Sequence, residues 1–151
     1  MSLKNPYPNP NFVPEYQISG VPYVTASAAS ELTSLTVPVR VDFPEVTRWI
    51  VVQNTSPTAN LRFGFSENGV KGQEASPGPS TTRNYFIVSA SSSTARMELR
   101  CKSLYFTKDA NGSSSFNIIA GLTRIRSADF PTLTGSLSGS INRQILSLIH
   151  I

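Results

Sequence analysis

The stretch Ser34–Asn54, SLTVPVRVDFPEVTRWIVVQN, constrains the fold more than any other part of the chain. Leu35, Val37, Val39, Val41 and Phe43 alternate with Thr36, Pro38, Arg40 and Asp42. A period of two places one face of a strand in a core and the other in a wetter place. Pro44-Glu45 breaks the run, and Val46 to Gln53 then reads almost continuously apolar through Trp49, Ile50, Val51 and Val52, as a strand covered on both faces does. These residues predict a pair of strands turning at Pro44, with Trp49 in the core between them.

The same alternation recurs downstream. Leu61, Phe63 and Phe65 form a third strand, closed by a turn at Glu67-Asn68-Gly69. Asn84 to Ser89 reads as a short buried strand. In Ala95 to Cys101, Met97, Leu99 and Cys101 face one way and Arg96, Glu98, Arg100 and Lys102 the other. At Ser103 the phase slips, because Leu104 and Phe106 take the parity the charged residues held; a bulge or a corner between sheets has this effect. Lys108 to Gly112 reads as a hairpin, its Asn-Gly suited to positive φ. Phe116, Ile118, Ala120 and Leu122 make a further strand, kinked at Gly121. Phe130 to Gly135 reads as a last edge segment. About eight short antiparallel strands with long polar loops predict an all-β fold, a single jelly-roll sandwich.

Three regions follow. Residues 1–30 carry Pro6, Pro8, Pro10, Pro14 and Pro22 with Tyr7, Phe12, Tyr16 and Tyr23 between them. Proline fixes φ and removes a backbone donor, so this segment is expected to run as an extended arm whose aromatics are contact residues. Residues 31–135 form the jelly-roll domain and 136–151 a small-residue linker and tail. The tail's Leu146-Ser147-Leu148-Ile149-His150-Ile151 resembles the in-frame translation of a common transposon-derived sequencing adapter and is set aside. Within the domain, Val70 to Arg83 (VKGQEASPGPSTTR) is Gly/Pro/Ser-rich and of a length that marks an interaction loop.

Composition narrows the chemistry. The 151 residues fit one domain, and the net charge of +4 comes from nine arginines and four lysines scattered along the chain. Nucleic-acid surfaces carry a basic run or stripe with interleaved aromatics, so no direct nucleic-acid contact is expected. The single cysteine, Cys101, excludes an intrachain disulfide and a thiolate-rich metal site. No stretch approaches the roughly 20 apolar residues of a membrane span or resembles a signal peptide, so a soluble, cytosolically made protein is expected and the sequons at Asn54 and Asn111 read as chance. The only histidine is His150, in the suspect tail. Asp42 and Glu45 are the closest acids across a turn, where pairing with Arg40 and Arg48 is the expected use. No enzyme, cofactor or metal site is predicted.

The order VTRWIVVQNTSPTANLRFGFSENGV at Val46 to Val70, NYFIVSASSSTARMELRCKSLYFTKDANGSSSFNIIAGLTRI at Asn84 to Ile125 and FPTLTGS at Phe130 to Ser136 resembles the single-jelly-roll penton proteins of large icosahedral double-stranded DNA viruses. The resemblance covers about half of the chain and rests on strand cores and turns. It implies a virion capsid protein, assembled in the host cytoplasm, whose homopentamer closes a five-fold vertex among neighbouring major and minor capsid proteins. The interface residues expected on this reading are Tyr7, Phe12 and Tyr16 of the arm and Lys71 and Arg83 of the loop. The runner-up is a non-catalytic jelly-roll module that binds carbohydrate or a receptor, as at a fibre tip, through exposed aromatics.

Overall fold

The computed structural model describes residues 9–11, 13–14, 20–27, 32–71, 84–109 and 112–132. Seven strands alternate along them with little helix: β1 (Val21–Ala26), β2 (Val39–Asp42), β3 (Glu45–Asn54), β4 (Leu61–Gly64), β5 (Phe86–Val88), β6 (Ser103–Lys108) and β7 (Phe116–Arg126). One helical turn, α1 (Glu67–Lys71), follows β4 where a turn was expected, and a 3-10 turn (Ser127–Asp129) follows β7.

The strands form two antiparallel sheets, β1-β7-β3 and β2-β6-β4-β5. Residues 92–97 run along the free edge of β3. Asn54 N donates to Ser92 O (2.8 Å), Thr94 N to Val52 O (2.8 Å), and Ile50 and Met97 exchange both backbone bonds at 2.9 Å. With this eighth segment the order becomes four strands on four. Apart from β4 and β5, which pair within one sheet, successive strands alternate between sheets as they do in a jelly roll, and the all-β sandwich expected from the alternation is present.

The core lies between the sheets. Ile50, Val52, Phe116, Ile118, Ala120 and Leu122 face Leu61, Phe63, Leu104 and Phe106, all buried. Phe106 and Phe116 stack across the interface with ring centroids 4.0 Å apart, and Tyr23 meets Phe43 edge-on at 5.2 Å. Asn54 is a polar keystone at one end of this core: its amide nitrogen donates to Ala59 O (2.8 Å), Val88 O (3.0 Å) and Ser89 O (3.2 Å), and its oxygen accepts from Ser56 N (2.9 Å). Buried polar groups that are fully paired in this way fix a loop in one place.

Several expectations change. β2 and β3 lie in different sheets, so Pro44 marks a corner and not the turn of a strand pair. Asp42 pairs with Arg40 on its own strand, Nε to Oδ1 2.6 Å, and not across a hairpin. β2 is shorter than the alternation suggested, because the Ser34 hydroxyl accepts from the backbone N–H of Thr36 and of Val37 (both 3.1 Å) and bends the chain, leaving Val37 69% exposed. β5 is an exposed edge and not a buried strand. β6 and β7 likewise belong to different sheets and do not pair with each other as a hairpin, although Gly112 does take positive φ (94°). Val70, expected in the loop, is fully buried in α1, and Phe130 folds onto Val46 and Ile125 instead of forming a strand. The stretch read as an extended arm, residues 1–30, contains β1, and of its other described residues 10–11 form a turn, with Asn11 N donating to Asn9 Oδ1 (2.9 Å), and 13–14 are helical; Pro22 is tolerated in β1 because that strand pairs on one side only.

The phase slip at Ser103 is the same corner seen from the other strand. Phe43 N donates to Lys102 O (2.8 Å) at the end of the β2–β6 ladder, and Thr47 N donates to Cys101 O (3.0 Å) at the start of the next. The buried Thr47 hydroxyl pins the crossing: it accepts from Cys101 N (3.0 Å) and donates to Leu99 O (2.7 Å). Replacing Thr47 by valine keeps the shape and orphans both groups, so the variant should lose about 1–3 kcal/mol of stability, read as a shift in denaturant midpoint. An unshifted midpoint would show that the corner does not need the hydroxyl.

Cys101 lies beside this pin, and burial pushes its thiol up to about 12. A buried neutral thiol should resist an aromatic disulfide reagent until the chain unfolds, releasing one equivalent only then. Because the folded value is raised, the stability gained by keeping the thiol neutral is complete below its ordinary range near 9 and falls as pH climbs toward about 12. A Cys101→Ala variant should show less of that alkaline loss in thermal melts.

Candidate interaction surface

Residues of opposite parity to the core line the outer face of the β1-β7-β3 sheet. The registers place Val24 opposite Ile119 and Ile119 opposite Val51, giving an aliphatic row across all three strands. Val24 is 71% and Ile119 45% exposed. A shallow groove of about 650 Å³ runs over this row, bounded by Val24, Ala26, Val51, Gln53, Ser93 and Asn117. Among the described residues, no charged side chain lines it. Asn117 Nδ2 donates to Gln53 Oε1 (3.2 Å) at its polar end.

Trp49 stands one row along on this outer face, opposite Gly121, and not in the core as its apolar neighbours predicted. The register of β3 shifts between Thr47 and Trp49, and the indole lies over the bare backbone of Gly121, where a Cβ would overlap the ring. The Arg96 guanidinium covers the ring at 4.9 Å and is itself held by Glu98 (Nε to Oε1 2.9 Å). The indole is thus packed between the glycine backbone and an anchored cation.

A second apolar patch sits on the other sheet. Phe86 (59% exposed) on the edge strand β5 stands beside Phe63, the two rings 5.6 Å apart, and Ile87 (40%) lies opposite Arg62 on the other face of the same edge. The strand is backed by a buried charge cluster: Arg62 Nε contacts Asp109 Oδ1 at 2.7 Å, and Tyr85 stacks on the Arg62 guanidinium at 4.3 Å. Arg62 has strand parity that faces solvent in a simple alternation, yet only 5% of it is exposed.

Of the residues expected at an interface, Tyr7, Phe12, Tyr16 and Arg83 lie outside the described residues. Lys71 ends α1 and its Nζ meets Glu67 Oε1 at 2.8 Å, which holds the Glu67 carboxyl below its usual range. Lys71 therefore belongs to neither apolar patch. Of the residues that do form the patches, the sequence places Val51, Phe86 and Ile87 in buried strands and Val24 in the arm, and it does not single out Ile119. Their signal was apolar residues on both parities, as in Val51-Val52 and Ile118-Ile119, which fits a doubly covered strand or one with an open apolar face.

Comparison with known proteins finds no matching family model, no matching curated relative and no matching solved structure.

The Trp49–Gly121 contact yields a direct test. Gly121→Ala must displace the indole, so emission of the only tryptophan should shift to longer wavelength, acrylamide should quench it more strongly, and stability should fall by about 1–3 kcal/mol. Unchanged emission and quenching would mean that the ring does not depend on the glycine.

Proposed function

We propose that this chain is a non-catalytic structural protein of a virion, whose homopentamer forms the capsomer at the five-fold vertices of an icosahedral capsid. The observation that supports the reading most is the presence of two different apolar patches, the outer face of β1-β7-β3 and the β5 edge. A closed ring of identical subunits is heterologous, so each subunit must offer two unlike surfaces that fit each other. Exposed aliphatic and aromatic area on an otherwise polar sandwich is the common mark of such contacts. The resemblance to penton proteins and the eight-segment jelly-roll order agree with it, though a jelly roll serves many roles and does not by itself select this one. Neighbouring major and minor capsid proteins would then surround the ring, with assembly in the host cytoplasm.

The carbohydrate- or receptor-binding alternative draws on Trp49, which lies on the outside of the sandwich. Its ring is covered by Arg96 and backed by Gly121, however, whereas a sugar platform needs a free aromatic face. The geometry therefore favours the assembly reading.

Light scattering after size exclusion, on protein lacking Leu146 to Ile151, should give five times the chain mass, and negative-stain images should show a five-fold ring. A strict monomer at every concentration that binds members of a glycan array would sink the capsomer reading and install the alternative.

A further inference from the structure

We infer that the open edge of β1 in one copy of the chain pairs antiparallel with the open edge of β5 in the next, with Val24 opposite Ile87. The proposal deepens the assembly reading above and rests on it for the partner being a second copy.

Each edge is defined by the backbone groups that its own sheet leaves over. Ser27 N donates to Phe116 O (2.9 Å), so along the β1–β7 register Val21, Tyr23 and Thr25 bond to β7, and the N–H and C=O of Val24 and Ala26 point away from it. Pro22 belongs to the outward set, where its missing donor costs the ladder nothing. Asp109 N donates to Asn60 O (3.2 Å), so Arg62 bonds toward β6 while Leu61 and Phe63 bond toward Val88 and Phe86. Ile87 is therefore the residue of β5 whose N–H and C=O face outward. Among the described residues, no group bonds to the outward backbone of Val24, Ala26 or Ile87.

Three observations select this pairing. The first is charge. Of the sheet edges, β2 carries Arg40 and Asp42 and residues 92–97 carry Arg96, whereas Val21–Ala26 (VPYVTA) and residues 85–89 (YFIVS) are uncharged. Charges guard an edge against a further strand, and these two edges lack them. The second is hydrogen-bond matching. With Val24 opposite Ile87, Ala26 comes opposite Tyr85 and Pro22 opposite Ser89. Ser89 O already accepts from Ser92 N (3.1 Å) and from Asn54 Nδ2 (3.2 Å), so it needs no further donor, and Pro22 has none to give. The gap in the outward donors of β1 thus meets a filled acceptor.

The third observation is placement. Tyr23 of β1 meets Phe43 at the β2 flank of the sandwich, while β5 runs through 89–91 directly into residues 92–97, the edge of the other sheet farthest from β1. The two edges open on opposite flanks, so one chain cannot join its own. Copies that offer unlike edges on opposite flanks build a head-to-tail row, which is the contact a closed ring uses. The pairing covers Val24 (71% exposed), Ile87 (40%) and Phe86 (59%), which otherwise leave apolar area in water.

Disulfide trapping in the full chain tests the proposal, since the native Cys101 is buried. Chains carrying Val24→Cys are mixed with chains carrying Ile87→Cys and oxidised with copper phenanthroline. Both positions are exposed, so the replacements leave the fold intact, which thermal melts verify. Pairing raises the local thiol concentration, so cross-linked heterodimer should exceed that from Glu98→Cys mixed with Ile87→Cys by on the order of a hundredfold. Equal yield from the two mixtures, or no yield from either, would overturn the pairing. A product formed instead between two Val24→Cys chains would also overturn it, by giving a two-fold β1–β1 contact. As a second reading, Ile87→Pro removes an N–H that its own sheet does not use, so it should abolish assembly while the melting of the single chain stays unchanged; assembly that persists in this variant would overturn the pairing as well. Solution mass separates the edge contact from the ring: cross-links in an assembly of another size keep the pairing and remove the pentamer, and a pentamer without cross-links does the reverse.

Discussion

The sandwich depends on one corner. Residues 39–54 and 93–108 form a two-stranded antiparallel ribbon, from the Val39–Phe106 pair at one end to the Gln53–Ser93 bridge at the other. Midway, between Phe43 and Thr47 on one strand and between Cys101 and Ser103 on the other, both strands leave one sheet and enter the second. Because they bend together, ladder bonding resumes within a few residues, and the exposed backbone that a single crossing strand would leave is avoided. Pro44 is free to occupy the bend because no ladder donor is needed there. The Thr47 hydroxyl, reaching four backbone and side-chain groups of the facing strand, fixes where the bend falls. Once it is fixed, Phe106 and Phe116 are on facing sheets and their stacking closes the core.

Much of this was legible in local pattern. Leu61 and Phe63, Met97 and Cys101, and Phe116 through Leu122 lie on the faces their alternation gave them. Both breaks in phase, at Pro44 and at Ser103, are visible in the sequence as well. What the sequence could not convey is that they are one event, because the two positions are nearly sixty residues apart and pairing at that separation leaves no local trace. Separation along the chain hid Arg62 as well. Its parity belongs to solvent, and only the arrival of Asp109 and Tyr85 makes a buried guanidinium tolerable.

The interaction surface was legible only by half. That Val24, Val51 and Ile119 are apolar is plain; that nothing among the described residues covers them is a property of layer count, and a two-layer fold leaves both outer faces open. Trp49 shows the ambiguity most sharply. An apolar run around a tryptophan reads as core, yet the β3 register shift and the bare Gly121 backbone give the ring a shelf outside.

The place of β7 in the chain has a kinetic consequence. It is the central strand of its sheet, joined to β1 at one side through pairs such as Val21–Leu122 and to β3 at the other, yet among the described residues it is the last strand in the sequence. Neither β1 nor β3 can complete its ladder until β7 has been synthesised, and loop closure over a hundred residues makes that step slow. The aliphatic row that spans all three strands is therefore the last surface of the molecule to come into being. A nascent or truncated chain lacks it, so recognition through this face is confined to copies whose folding is finished.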